Sequence, residues 1–545
     1  MSRNTDSHFG EAPQKNIKRS SFKRPFSHKT TFNTGDIVPI YADEVLPGDT
    51  VKLHTASLVR GLTPITPVMD NAWMDIYYFF IPRRLTWKHW KEFMGENTTD
   101  AWTQTTQYAV PKLVIPTGGW NKGSLGEKLY GIQGRAGGAK VDAQYARSYV
   151  LCFNEWFRNE NLIEPAAMST DDADTTGTNG NDYVVDMECG GVMGKATKYA
   201  DYFTRALPEP QKGPDIYLPL GTSAPVFAGP DEHNIPSDSL LWKNASTNTR
   251  ISADRRLAQD SNGNTRMTSE ALAPSDLLGG ISLAPSNLYT DLELATAATI
   301  NELRQAFAIQ RMYEIDARGG TRYTEILRAH FGIISPDRRQ QRPEYLGGKR
   351  IPINIQSVSD TAGGTNPIGT QGANSLTIDN HDDFTKSFDE HGIILGLAVI
   401  RTEHTYQQGI ERKFSRTNRE DFYWPALSNI GEQSVLQKEI FADGTSADDD
   451  VFGYQERWAE YRYANNRITG ELNSDYAQSL DIWHYGDDYS VAPTLSKAWV
   501  IETAQNVART VAITTQDQWK ADFYFDQTWV RPMPIYSIPS MTSWN

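Results

Sequence analysis

Between residues 51 and 55 apolar and polar side chains alternate, Val51, Leu53 and Thr55 against Lys52 and His54, just after a Pro47–Gly48 turn signal. A period of two is that of a strand with one buried face. The whole stretch from Thr30 to Arg60 reads as extended and turn-rich. Residues 72–81 (AWMDIYYFFI) form an aromatic, β-favouring run closed by Pro82, which predicts a core strand. Ile393–Val399 and Trp519–Val530 predict two more. Helical spacing is rarer. Leu85, Trp87, Trp90 and Phe93 ahead of Gly95 predict a short helix. Tyr149, Cys152, Phe153 and Trp156 mark the apolar stripe of a helix over 145–162, and such stripes belong to cores far more often than to cofactor boxes. Thr299 followed by Glu302 makes a capping box, with Ile300, Leu303 and Phe307 as the apolar face of the helix it opens. The rest is loop-like: 96–140 is rich in Thr and Gly, 169–200 is acidic and predicted exposed, and 318–545 is mostly short extended pieces between turns. Residues 212–295 crowd Ser, Asn, Asp, Pro and Gly, the composition of a long surface excursion.

Composition strengthens this loop-heavy, mainly β picture. The 545 residues include 28 Pro and 41 Gly, which punctuate many short elements, and 25 Tyr, 21 Phe and 14 Trp, which favour strands and contact surfaces. The longest apolar run, Gly392–Ile400, falls far short of the roughly 20 residues of a membrane span. The polar N-terminus has no apolar core of a signal peptide. Cys152 and Cys189 are too few for a disulfide framework or a cysteine-built zinc site and are expected to stay reduced, in a cytoplasmic setting.

Charge adds one feature. The chain carries −14 overall, yet its first thirty residues hold Arg3, Lys15, Lys18, Arg19, Lys23, Arg24 and Lys29 against only Asp6 and Glu11, with Phe9, Phe22 and Phe26 interleaved. Two readings stand side by side: a solvated tail, or a basic arm over 1–30 that neutralises phosphates and stacks on unpaired bases.

A search for chemistry finds little. No zinc-protease, Walker, nucleophile-elbow or dinucleotide motif occurs, and the glycine-rich 131–140 lacks the spacing of a phosphate loop. Ten histidines are scattered without close ligand spacing. Asp448–Asp450, the trio Asp171, Asp172 and Asp174, and the pair Asp487 and Asp488 are expected to be solvated turns and not metal sites. No enzyme, cofactor or metal is therefore expected. An all-β hydrolase would need two facing carboxylates, which sequence spacing does not reveal.

Longer strings carry more. KTTFNTGDIVPIYADEVLPGDT (29–50), MDNAWMDIYYFFIPRRLTWKHWKEFMGE (69–96), YVLCFNEWFRNENLI (149–163), DYFTRALPEPQKG (201–213), the TINELRQAF…EYLGG block (299–348), FGYQERWAEYRYANNRITGEL (452–472) and RPMPIYSIPS (531–540) stand in this order. Together they resemble the major capsid protein of the microviruses, in particular the gokushovirus branch, over about residues 20–540. The resemblance implies an eight-stranded antiparallel viral jelly roll over 31–545 with long loop and helix insertions. It also implies self-assembly into a small T=1 icosahedral shell around a circular single-stranded DNA genome, with the arm 1–30 facing inward. An insertion over 214–297 would form a protrusion at the three-fold axes that meets the host. Implied partners are further copies of the chain, the DNA, a small basic DNA-packaging protein, a scaffolding protein and a host receptor, in a virion assembled in the host cytoplasm. Glu209, where an aromatic is expected, and the ending SMTSWN depart from the family.

Within two of the strings Arg, Glu and Tyr are dense. Arg318, Arg322 and Tyr323, with Arg457, Trp458, Tyr461 and Arg462, are candidates for subunit contacts. The competing reading makes them internal braces of the fold. A carbohydrate-binding jelly roll is the alternative function; it accounts for the aromatics but not for the basic arm.

Overall fold

The computed structural model describes residues 17–98, 106–216, 300–361 and 367–537, together with short strands at 226–228, 242–244, 255–259, 265–269, 283–285 and 288–290. The chain divides into two compact units, one of residues 1–210 and 316–545 and one of 211–315.

The first unit is mainly β and is built on two antiparallel sheets. Its strands are β1 (Ser20–Lys23), β2 (Phe26–Phe32), β3 (Val38–Val45), β4 (Thr50–Gly61), β5 (Ala72–Pro82), β6 (Glu344–Pro352), β7 (Thr377–Ser387), β8 (Gly392–Thr402) and β9 (Trp519–Arg531). In one sheet β1 and β2 both pair with β9, which pairs with β4, which pairs with β7. The order of the other is β6-β5-β8-β3. The β9 sequence shows why it sits where it does. Trp519, Ala521, Phe523, Phe525, Gln527 and Trp529 are buried, while the residues between them are more open. Such a period of two defines a strand with one face on the core. The opposite sheet meets it directly, with the rings of Tyr41 and Phe525 at 5.1 Å and those of Tyr78 and Phe384 at 5.8 Å. The polar atoms caught between the sheets are bonded: Tyr41 donates to Gln527 at 2.6 Å, and the Thr55 and Tyr78 hydroxyls share a 2.7 Å hydrogen bond. Strand β8, GIILGLAVIRT, is buried along almost its whole length and correspondingly apolar. Its Gly396 permits close approach, since a Cβ there would lie 2.7 Å from both Tyr41 and Tyr78.

The strand predictions at 51–55, 72–81, 393–399 and 519–530 all fall on observed strands. The helices are shorter than expected. Residues 85–93 split into two turns, Arg83–Thr86 and Trp90–Phe93. The helix predicted over 145–162 is α1 (Ala143–Cys152), running into a π-helical turn, Phe153–Phe157, where it stops. Two loop predictions need correction. Residues 96–140 contain a helix, Leu125–Tyr130, and a strand, Lys112–Val114, which pairs with Lys140–Asp142 and Thr175–Thr176. The segment 169–200 is not simply exposed: Met187, Met193 and Ala196 enter the main core. It is held there by Arg147, whose buried guanidinium donates to Glu188 at 3.1 Å and to the Asp171 carbonyl at 3.0 Å. An acidic composition concealed a segment whose charges are used as anchors.

In the second unit, short antiparallel pairs nest inside one another: 226–228 with 288–290, 242–244 with 283–285, and 255–259 with 265–269. Most of the excursion predicted over 212–295 lies outside the described residues, as does Thr299 of the capping box. The helix after it, α2 (Ile300–Gly319), is present, but Ile300 and Phe307 are exposed, so its predicted apolar face is not a core face in the single chain.

Candidate functional site: an aromatic surface capped by arginines

Residues 411–463 are mostly short 3-10 turns standing on a small hairpin, Glu432–Leu436 paired with Val451–Glu456. A second core beneath it, containing Phe203, Tyr406, Val435, Ile440, Phe452, Ala459 and Trp499, gives the hairpin a rigid floor. At its end Trp458 adopts φ 68°, a left-handed conformation that a bulky residue rarely takes. Its surroundings enforce it. The Trp458 amide donates to Gln433 at 3.2 Å, its indole donates to the Leu427 carbonyl at 3.0 Å, and the side chain is buried. This reversal sends Tyr461, Arg462 and Tyr463 out to the surface.

The rings displayed there are unusually bare. Phe414 is 63 % exposed and Tyr461 52 %, and Phe422, Tyr423, Trp424 and Tyr463 are exposed as well. Several carry a guanidinium from the same surface: Arg416 lies 4.6 Å from the Tyr461 ring and 5.2 Å from Phe422, and Arg419 4.5 Å from Trp424. Tyr423 meets Trp458 edge-on at 5.6 Å. Flat aromatic and arginine side chains of this kind are enriched where proteins meet, because they bury large area with little entropy loss. Beside them a cavity of about 330 Å³ is lined by Tyr202, Phe203, Arg412, Glu439, Glu460 and Arg462 among others.

The candidate contact residues separate into two groups. Arg318 forms a two-pronged pair with Glu432 and donates to Gln455 at 2.9 Å. Arg322 donates to the Asn154 and Arg158 carbonyls at 2.9 and 2.8 Å and pairs with Glu325. These two, with Trp458, brace the chain internally. Tyr323, Tyr461 and Arg462 remain exposed, Arg462 paired with Glu456 at 2.6 Å across the surface, while Arg457 is half-buried and donates to the Glu420 carbonyl at 3.2 Å. Of the basic N-terminal residues, Arg3 and Lys15 lie outside the described residues. Lys18 and Arg19 precede β1, Lys23 ends it, and Lys29 is on β2; all are exposed, as is Arg24. Arg24 pairs with Asp43 at 2.9 Å and Lys29 with Asp522 at 3.2 Å. From Ser20 onward this segment is therefore part of a sheet.

One interior cluster had no signature in the sequence. His404 lies between Asp487 and Glu502, 2.9 Å from each, and Lys198 stands 3.4 Å from Asp487. All four side chains are buried, so the expectation of a solvated turn is wrong for Asp487. Burial would lower the His404 pKa, but the two carboxylates outweigh it and raise it to about 9. The same contacts, with Lys198, hold Asp487 well below the usual carboxylate range against its burial. Residues 198, 404, 487 and 502 are brought together only by the fold. Among the described residues no group of three or more His, Cys, Asp or Glu is arranged to hold a metal ion, and no helix is long and apolar enough to cross a membrane.

A rigid β scaffold that displays bare rings and guanidiniums defines a protein that works by surface-to-surface contact. The comparisons with known proteins identify the kind. The family model described as capsid protein (F protein) matches residues 10–541. The chain is 40% identical to capsid protein VP1 of Bdellovibrio phage phiMH2K, covering 99% of this chain and 98% of that one. It is 39% identical to capsid protein VP1 of Spiroplasma virus 4, covering 96% of each. It is 35% identical to that of Chlamydia phage 1, covering 98% and 97%. The chain belongs to the phage capsid protein (F protein) family, in agreement with the microvirus resemblance of its seven strings. Its role is structural, and its place is in the virion, in a capsid built from copies of itself.

Proposed function

We propose that this chain is the unit of a T=1 icosahedral shell, one copy per asymmetric unit, enclosing a circular single-stranded DNA genome. Its subunit unit is an eight-stranded jelly roll. The support is topological: β1 and β2 act as one strand interrupted at Arg24–Pro25, and the two four-membered orders (β1/β2)-β9-β4-β7 and β3-β8-β5-β6 both join strands distant in sequence, as two Greek keys require. The observation that carries assembly is the exposed surface at 411–463. Rings this bare cost a lone chain solubility, and burying them repeatedly in a closed shell makes each modest contact cooperative.

The remaining assignments follow from the family resemblance. The basic arm faces inward and meets DNA phosphate, sharing that task with a small basic packaging protein. Residues 214–297, inserted between β5 and β6 within a compact unit of their own, form the three-fold protrusion that meets a host receptor. Assembly takes place in the host cytoplasm, with a scaffolding protein where one is required. The test is electron microscopy of the chain expressed alone and, in parallel, with scaffold and genome. Uniform small spheres with three-fold knobs are expected; no particles under either condition would end the T=1 reading.

A further inference from the structure

On the face of the second sheet turned away from the first lies a cavity of about 210 Å³, lined by Tyr77, Phe79, Trp156, Phe157, Tyr345 and Arg401, with Ala196 and Thr197. Tyr78 points between the sheets, so its neighbours Tyr77 and Phe79 point out. The π-helical turn at the end of α1 brings Trp156 and Phe157 to the same face; such turns occur often at functional sites. The rings form a connected wall, with Phe79 5.4 Å from Trp156 and 5.7 Å from Tyr345, and Tyr77 edge-on to Phe157 at 5.3 Å. Tyr345, at 43 % exposure, is its open side.

The charge beside this wall is unbalanced. Arg350 and Arg401 share a single carboxylate, Asp75, at 2.7 and 2.5 Å. Tyr77 and Tyr199 beside them stay neutral, because burial raises their phenol pKa values, that of Tyr77 to about 12. One guanidinium charge is left over, and Arg350 is half in solvent. A third, Arg342, lies 4.2 Å over the Trp156 ring but is matched by Asp337 at 2.7 Å.

The volume is below that of pockets for drug-sized ligands, and suits one planar ring system. Aromatic walls accept the face of any base, and a surplus guanidinium accepts a phosphodiester. We infer that this cavity takes one nucleotide unit of single-stranded DNA, its base against Trp156 and Tyr345 and its phosphate towards Arg350. An apolar side chain from a protein partner would fill the walls but leave the surplus cation unmatched. The choice of DNA rests on the packaging reading above; the site itself can be tested without it.

The experiment titrates the unassembled full-length protein with deoxythymidine monophosphate and with a short oligothymidylate, by calorimetry, in wild type and in Tyr345→Ser and Arg350→Gln. Asp75 keeps Arg401 in the second variant, and equal melting temperatures certify both folds. Saturable one-site binding is expected, weakened roughly tenfold in Tyr345→Ser, the size of one lost base stack. Arg350→Gln should flatten the salt dependence of the oligonucleotide. No mononucleotide binding, or binding equal in all three proteins, overturns the assignment, as does a Tyr345→Ser protein that fails only to assemble, which would make the cavity a seat for a neighbouring copy. DNA-filled particles without mononucleotide binding would sink the cavity assignment alone. Particles that stay empty when genome is supplied would sink the packaging reading and leave the mononucleotide result standing.

Discussion

The aromatic rings between the two sheets and those at 411–463 are arranged by opposite rules. Between the sheets rings meet rings, as in Tyr41, Tyr78 and Phe525, and Tyr78, Phe523 and Phe525 are wholly buried. At 411–463 rings also meet guanidiniums, and Phe414 and Tyr461 are left more than half open. The same residue types thus serve two ends. In the first region their area has already been removed from water and holds the chain in one fold. In the second much of it has been kept in reserve, with arginines stacked on several of the rings. Stability and assembly should accordingly respond to different substitutions.

The largest effects belong to the interior. Phe523→Ala should cost about 3–5 kcal/mol, measured by urea unfolding of the unassembled protein, because the cavity it leaves lies between two sheets that cannot close on it. A smaller loss would mean that the sheets are not packed as tightly as their ring contacts indicate. His404→Ala should cost a similar amount, about 3–5 kcal/mol, since Glu502 would lose its imidazolium partner while buried and Asp487 would keep only the more distant Lys198 pair. The pH dependence has a definite sign. The folded His404 pKa is raised to about 9, so its contribution is complete below the unfolded value of about 6.5 and is lost as pH rises through about 9. A melting temperature that falls over that alkaline window in wild type, but not in His404→Ala, is the expected result. A flat profile in both would remove the cluster from the stability account. The smallest effect on the fold should come from the surface. Tyr461→Ala with Arg462→Ala should leave unfolding within about 0.5 kcal/mol of wild type while abolishing particles by sedimentation. If the double variant unfolds instead, the 411–463 region is a brace and the contrast between the two regions disappears.

What could be read in advance depended on how each segment is solvated. Strands β4 and β9 have one wet face, so their alternation is plain, and β8 is apolar because both its faces are covered. Strand β7, TIDNHDDFTKS, gave no such signal. It is an edge strand whose inward face is polar: His381 stands between Asp379 and Asp383, at 2.6 and 2.9 Å, and distant partners complete the set, Thr55 for Asp383 and Lys349 for Asp379. Strand β2 was concealed by its basic residues, which suggested a free arm. The seven family strings indicated capsid function directly, yet they did not separate Arg318, turned inward on Glu432, from Tyr461, turned out. That distinction depends on a left-handed Trp458 and on carboxylates more than a hundred residues away, neither of which has a local pattern.

The pairing of β4 with β9 joins residue 61 to residue 519, and β1 and β2 also rest on β9. During synthesis, then, the strands at residues 20–61 wait for the strand at 519–531 to leave the ribosome. A nascent or prematurely terminated chain lacks the strand on which its sheet is built, and its rings cannot be displayed on a finished scaffold. A chain cut short of β9 should therefore fail to join a shell, so that the topology itself would proofread, without any device dedicated to detecting broken copies.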